Sequence, residues 1–490
     1  MTRHLLAIDN GSQSTKVLVV DENGVVKASA RVGLRPYEIP APGQSVHPGD
    51  DVWLSIQQAC QIALSRFDGD PGTIVGVGLC TIRFCRALMR ADGTLAEPMM
   101  SWMDERVGRA HEPSEAVARI STSSGYIAHR LTGEFRDAAA NYQGVWPIDQ
   151  QTWRFSTDPA AYEATGMAPG MLFELVDPGA TLGSVTHAAA EATGIPAGTP
   201  VFAAANDKAV EALGAGLTDE GQLLLSLGTY ISSMTIAPGA SSGASYWANF
   251  GSKPGQYLAE SEGIRRGMWT ISWFRSLLQH VPDSAARPLD DIGAEPPSGL
   301  TAAPGDDLYA LEAELSREAE QVPLGSDGVT AVLDWLAPAD EPFRRGALLG
   351  FSGSQGRAHI HRAILEGIAF TMADHADAMQ AELGHRYTSL TVTGGGANSA
   401  LMLQLAADAF GLPVRRARTD DAAGIGAAVC AAVGAGLYDS WDSAVARLVH
   451  TTDAAVPGSG APLAARLRVR HRGVRERIRD LSAWVAEQDH

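Results

Sequence analysis

Residues 4–32, HLLAIDNGSQSTKVLVVDENGVVKASARV, constrain the fold more than any other part of the chain. Three apolar runs are separated by a turn containing Gly11 and by Asn23-Gly24, the dipeptide that most strongly signals a two-residue hairpin because its central positions need positive φ. The segment therefore reads as strand, turn, strand, hairpin, strand. Residues 51–66 then carry apolar positions at helical spacing, and IVGVGLC at 74–80 reads as a buried strand. Strands followed by helices in this order predict an α/β layer.

The pattern continues with the strand TPVFAAAN, the helix-like DKAVEALGAG and the strand LLLSLGTYISSM, and lapses at TIAPGASSGAS. This Gly-, Ser- and Pro-rich stretch predicts a domain boundary near residues 238–245. Two domains are expected, 1–240 and 245–490, since 490 residues exceed one ordinary core. In the second half, helices are expected at 267–280, 356–383, 398–411, 421–437 and 463–486. A strand is expected at 390–396, and a polar, Pro-rich stretch fills 281–307.

Composition narrows the function classes. Apolar residues make up 45% of the chain, enough to bury two cores, and the formal net charge of −18 repels phosphate backbones and anionic lipid. Neither nucleic acid nor a membrane is an expected partner. The first residues lack a signal peptide and no apolar run is long enough to span a bilayer, so a cytoplasmic protein is expected. Cys60, Cys80, Cys85 and Cys430 lack metal or disulfide spacing and read as small buried apolar residues, with Cys80 and Cys85 near a cleft.

Three segments can carry chemistry. In DNGSQSTK at 9–16, a Gly-containing turn can aim backbone N–H groups at phosphate oxygens. Lys16 adds positive charge, and Asp9 can hold Mg²⁺ through water. Read alone, the same residues make an ordinary turn. In NDKAVEALGAG at 206–216, Asp207 follows a strand and can take a proton from a hydroxyl, or can simply cap the helix. The Gly228-Thr229 turn after it is a second phosphate cradle, and the three glycines of VTGGGAN let a flat ligand approach the backbone.

Taken in order, these segments resemble the FGGY carbohydrate kinases over nearly the whole chain. WMDER at 102–106 is similar to that family's sugar-contacting motif. EGIRRGMWTISWFR, RAHIHRAILEGIAF, GGGANSALMLQLAADAFGLPV and DDAAGIGAAVCAAVGAGLY resemble successive blocks of its C-terminal domain. The resemblance implies an α/β fold of two ribonuclease H-like (actin/hexokinase-type) domains with a cleft between them. It implies an enzyme using ATP and Mg²⁺ to phosphorylate a small sugar, a ketose such as xylulose or a related polyol, and a possible homodimer. The first domain would bind sugar and phosphate, the second the nucleotide.

Carried over residue by residue, it implies Asp207 as general base, with Arg83, Asp104 and Lys208 beside it on the sugar. Ser12, Gln13, Lys16, Thr229 and Gly267 would line the phosphates, Gly395, Gly396 and Asn398 would border the adenosine, and Asp9 would sit near the metal. A glycerol- or erythritol-type polyol kinase, and a non-catalytic sugar sensor on the same fold, are the alternatives.

Three departures bear on the substrate. Phe84 stands where glycerol kinases carry glutamate and xylulokinases histidine. Lys208 follows Asp207 where relatives carry other residues, and it can face the substrate or pair with Glu211. Only a short polar stretch separates Asp104 from YIAHRLTGEF at 126–135, so a pocket wall of the family is expected to be missing.

Overall fold

The computed structural model describes residues 2–278, 305–338, 340–419 and 421–488. Most of the polar stretch expected at 281–307 and the last residues of the helix expected at 267–280 lie outside the described residues.

Among the described residues, thirteen strands form two large sheets. The first uses β1 (His4–Asn10), β2 (Ser14–Asp21), β3 (Val26–Gly33), β4 (Ile74–Thr81), β5 (Thr181–Ser184) and β6 (Pro200–Asn206), in the order β5-β6-β4-β1-β2-β3. The second uses β7 (Gln222–Leu227), β8 (Ile231–Ala237), β9 (Tyr246–Phe250), β10 (Tyr257–Ser261), β11 (Ser389–Thr393), β12 (Val414–Ala417) and β13 (Thr451–Ala455), in the order β9-β10-β8-β7-β11-β12-β13.

The two sheets repeat one topology. β3-β2-β1 are antiparallel and β4 and β6 add in parallel, as β10-β8-β7 are antiparallel with β11 and β12 parallel. This is the expected pair of ribonuclease H-like domains. The Asn23-Gly24 hairpin is present, with Gly24 at φ 78° where a side chain would also strike the Leu448 backbone.

The boundary differs from the expectation. Residues 238–245 join β8 to β9 inside the second sheet, so the change of sheet falls earlier, between Asn206 and Gln222. A Gly- and Pro-rich run marks any loop, and here it marks one within a domain. The earlier crossing hides inside α2 (Asp207–Gly214), whose helical pattern gives no sign of a break.

The strands are buried on both faces, which explains their unbroken apolar runs. Leu6 and Ile8 face one way, toward Ile56 and Ala59 of α1 (Asp51–Arg66), while Leu5 and Ala7 face the other. In the second domain, Leu223, Leu225 and Val392 share a core with Ile271 and Phe274 of α3 (Gly267–Leu278), Ile364 and Ile368 of α4 (Arg357–Leu383) and Leu405 of α5 (Ala400–Phe410). Between the domains a third core joins Leu5 and Ala7 to Leu224, Met234 and Leu258 through α2 and α6 (Ala422–Gly434).

That shared core explains the composition of α6, AAGIGAAVCAAVG. A Cβ on Gly426 would lie 2.0 Å from the Val210 carbonyl oxygen, and one on Gly78 would lie 2.1 Å from that of Ala427. Only small residues let α6 approach both α2 and the first sheet so closely. All four cysteines are buried and free, as expected.

The closing helix α7 (Ala461–Gln488) uses its arginines internally. Arg468, Arg472 and Arg475 reach Asp374 of α4 at 3.0, 2.5 and 2.7 Å. Among the described residues no helix is long and apolar enough to cross a membrane.

Candidate active site

Charge gathers where the strand ends meet. In the β1–β2 register Asp9 lies opposite Lys16, whose ammonium stands 3.6 Å from the Asp9 carboxylate and 3.7 Å from that of Asp421. Asp421 caps α6 by accepting from the Gly424 N–H at 3.0 Å. Burial, and then the Asp421 charge, push Asp9 up to about 7 against the pull of Lys16. Two carboxylates thus share one lysine in a desolvated site. Cys80 borders it, with Sγ 3.8 Å from Asp9 Oδ1.

Asp207 opens α2, but the cap is Asn206, whose side chain accepts from the Ala209 N–H at 3.1 Å. Oδ1 of Asp207 is buried without a hydrogen-bond partner. Burial raises its proton affinity, while Arg83 and Lys208 oppose that rise. Lys208 pairs with Glu211 at 2.9 Å and donates to Ser226 Oγ at 3.0 Å. Glu211 also accepts from Ser226 and Thr393, each at 2.7 Å. These ties bind α2 to the ends of β7 and β11 across the change of sheet.

Arg83 lies between the domains. Its guanidinium makes a two-pronged pair with Glu260 of β10, at 2.8 and 3.1 Å, and lies 4.5 Å from the Trp247 ring centroid and 5.5 Å from that of Phe84. Phe84 adopts φ 65°, a backbone that bulky residues rarely take, and its ring stands 6.3 Å from Trp247.

Asp104 is placed differently from its expected role. Its Oδ1 accepts from the Arg106 N–H and Nε at 3.0 and 2.9 Å, and its Oδ2 from the Ser45 N–H and Arg106 Nη2, each at 2.8 Å. A carboxylate has about four acceptor positions, so these four bonds leave none for sugar hydroxyls. Asp104 organises its loop.

The glycine turns also divide. Thr229 is exposed on the β7–β8 turn, and Ser12 and Gln13 lie half-buried on the β1–β2 turn. Gly267 donates its N–H to the Thr229 carbonyl at 2.9 Å, so that donor is not directed at a phosphate. Gly395 and Asn398 are exposed, and nothing stands within 4 Å of a Cβ built on Gly395. Gly396 is buried, where a Cβ would meet Leu227 Cβ at 2.8 Å and Met268 Cε at 3.0 Å. Gly396 is small because of packing.

Models of the FGGY family of carbohydrate kinases match residues 4–112 and 109–214 with the N-terminal domain and 223–435 with the C-terminal domain. The chain belongs to that family. It is 41% identical over 459 residues to the uncharacterized sugar kinase YgcE of Escherichia coli strain K12, covering 93% of this chain and 89% of that one. An autoinducer-2 kinase of Klebsiella pneumoniae is 29% identical over 91% of this chain and 88% of its own. A solved xylulose kinase from Rhodospirillum rubrum superposes with a TM-score of 0.80 at 23% identity, over 98% of this chain and 100% of that one.

The protein is thus a carbohydrate kinase, with ATP as phosphoryl donor and a sugar as acceptor. Several residues of this kinase's cleft escape a reading by motif. Asp421 sits inside a recognisable block without being singled out by it, and Glu211 is legible only as a partner for Lys208, whereas Glu260, Trp247 and Asn249 lie on strands with no local signature.

Proposed function

We propose that this kinase transfers the terminal phosphoryl group of ATP to a hydroxyl of a small ketose such as xylulose, or of a related polyol, with Asp207 as general base. One observation carries the reading: Asp207 presents a buried carboxylate oxygen with no hydrogen-bond partner, beside Arg83. An acceptor hydroxyl would fill that position, give its proton to Oδ1 and become the nucleophile. Arg83 and Lys208 favour the ionised base, and burial keeps it basic enough to accept the proton.

The phosphates fit the turns at Ser12-Gln13 and Thr229, with Lys16 beside them, and the open backbone at Gly395 fits the adenosine, with Asn398 at its edge. Among the described residues no three metal-ligating side chains cluster. The carboxylates of Asp9 and Asp421 would instead hold a hydrated Mg²⁺ jointly with the nucleotide. Their mutual repulsion suits a divalent cation, and Mg²⁺ usually keeps several waters in such sites. The ion would neutralise charge on the transferring group.

ADP formation across a panel of ketoses, aldoses and polyols tests this reading, with turnover expected for at least one ketose or polyol and none without Mg²⁺. A panel that consumes no ATP would refute it. For the nucleotide, Gly395→Val should fold normally and weaken ATP at least tenfold by calorimetry, since a β-branched side chain would fill the space that the base needs. Gly396→Val should mainly lower thermal stability. Unchanged ATP affinity in Gly395→Val would move the nucleotide elsewhere.

A further inference from the structure

Beyond Asp207 Oδ1, further buried polar atoms stand without partners where the second sheet meets the first domain. Strand register defines its floor. Glu260 lies opposite both Met234 of β8 and Trp247 of β9. Side chains two apart on a strand share a face, so Ser232, Trp247, Asn249 and Glu260 project from one face of the second sheet. That face meets the first domain, as the Arg83–Glu260 pair shows.

Asn249 is the joint of this contact. Its Oδ1 accepts from the amide of Gln143, on the loop after the short helix at Ala139–Asn141, and from Asn206 Nδ2 at 3.3 Å. Asn206 directly precedes Asp207, which puts the amide pair next to the proposed base. Each amide has one group left over. Asn249 Nδ2, Gln143 Oε1 and Ser232 Oγ are all buried without partners, and Asn249 and Ser232 are almost wholly enclosed, at 1% and 0% exposure.

Buried polar groups are rarely left unpaired, because each costs about 1–3 kcal/mol. One unmatched donor and one unmatched acceptor, on two amides already joined by the Gln143–Asn249 hydrogen bond, describe the complement of neighbouring hydroxyls on a polyhydroxylated chain. The charges nearby are already matched: Arg83 is held by Glu260 and Lys208 by Glu211. A carboxylate on the ligand would meet the like charges of Glu260 and Asp207, with Arg83 and Lys208 already paired.

We propose that Gln143 and Asn249 form the specificity-determining pair of this kinase, reading hydroxyls of a neutral sugar beyond the carbon that is phosphorylated. The inference rests on the kinase reading above and deepens it. Gln143 Oε1 accepts from one hydroxyl and Asn249 Nδ2 donates to another. The pair also supplies a pocket wall, in a chain where the family's usual segment after Asp104 is short.

Steady-state kinetics on neutral sugars, their single-deoxy analogues and the matching sugar acids tests this, with wild type, Asn249→Leu and Gln143→Met. In both variants kcat/KM for the best neutral sugar should fall at least tenfold, mainly through KM, with KM for ATP unchanged. The preference of wild type for that sugar over one of its deoxy analogues should shrink in the variants. Gln143 lies on a loop, so Gln143→Met keeps the test open if Asn249→Leu folds poorly. Turnover of a neutral sugar with KM unaltered in the folded variants would overturn the inference and leave the kinase reading standing. Preference of wild type for sugar acids would do the same. No turnover of any sugar would refute the kinase reading and the inference with it.

Discussion

Asp207→Asn should abolish sugar-dependent ATP turnover while leaving sugar and ATP binding nearly intact. The amide has the shape of the carboxylate but cannot take the hydroxyl proton, and loss of a general base costs on the order of 10²–10⁴ in rate. The wild-type pH profile should carry the same signature. Burial raises the proton affinity of Asp207 above the ordinary carboxylate range. The base works only when ionised, so kcat/KM should fall as pH drops through that raised pKa, nearer neutrality than for an exposed aspartate. Wild-type turnover in Asp207→Asn, on a sugar that the wild type phosphorylates, would remove Asp207 from the mechanism.

Glu260→Leu should be the most damaging change to stability within the cleft. Glu260 is wholly buried and is, among the described residues, the ion-pair partner of Arg83, whose side chain is 13% exposed. Taking away one member of a buried pair leaves the other charge uncompensated, which typically costs about 3–5 kcal/mol. A clear drop in melting temperature is therefore expected. Replacing both residues, as Arg83→Met with Glu260→Leu, should recover much of the loss, because two apolar side chains carry no stranded charge. The double variant should still bind sugar poorly. If Glu260→Leu melts like the wild type, the pair contributes nothing to holding the domains together.

What a motif can and cannot convey is visible at five positions. Asp207 was legible because a carboxylate between an apolar strand and a helix is a local pattern. Lys208 was legible only as a choice between substrate and Glu211, and the structure shows the ion pair. Asp104 belonged to a recognisable motif, yet its oxygens are filled by Arg106 and Ser45, and only a folded loop could reveal that. Gly395 and Gly396 are identical in sequence and opposite in surroundings, one open and one against Leu227.

By itself the sequence determined the strands, the Asn23-Gly24 hairpin, the helical segments of the second half, the α/β class and the family, down to the order of its blocks. Those features arise from periodicity and turn chemistry among near neighbours, and from motifs a few residues long. The tertiary structure alone decided where one sheet gives way to the other and which side chains meet in the cleft. Arg83 finds Glu260 across 177 positions and Gln143 finds Asn249 across 106, each reaching from a turn or loop of the first domain to a strand of the second sheet. The pairing of a buried charge or amide is set by the register and packing of elements far apart in the chain, and no local pattern encodes it.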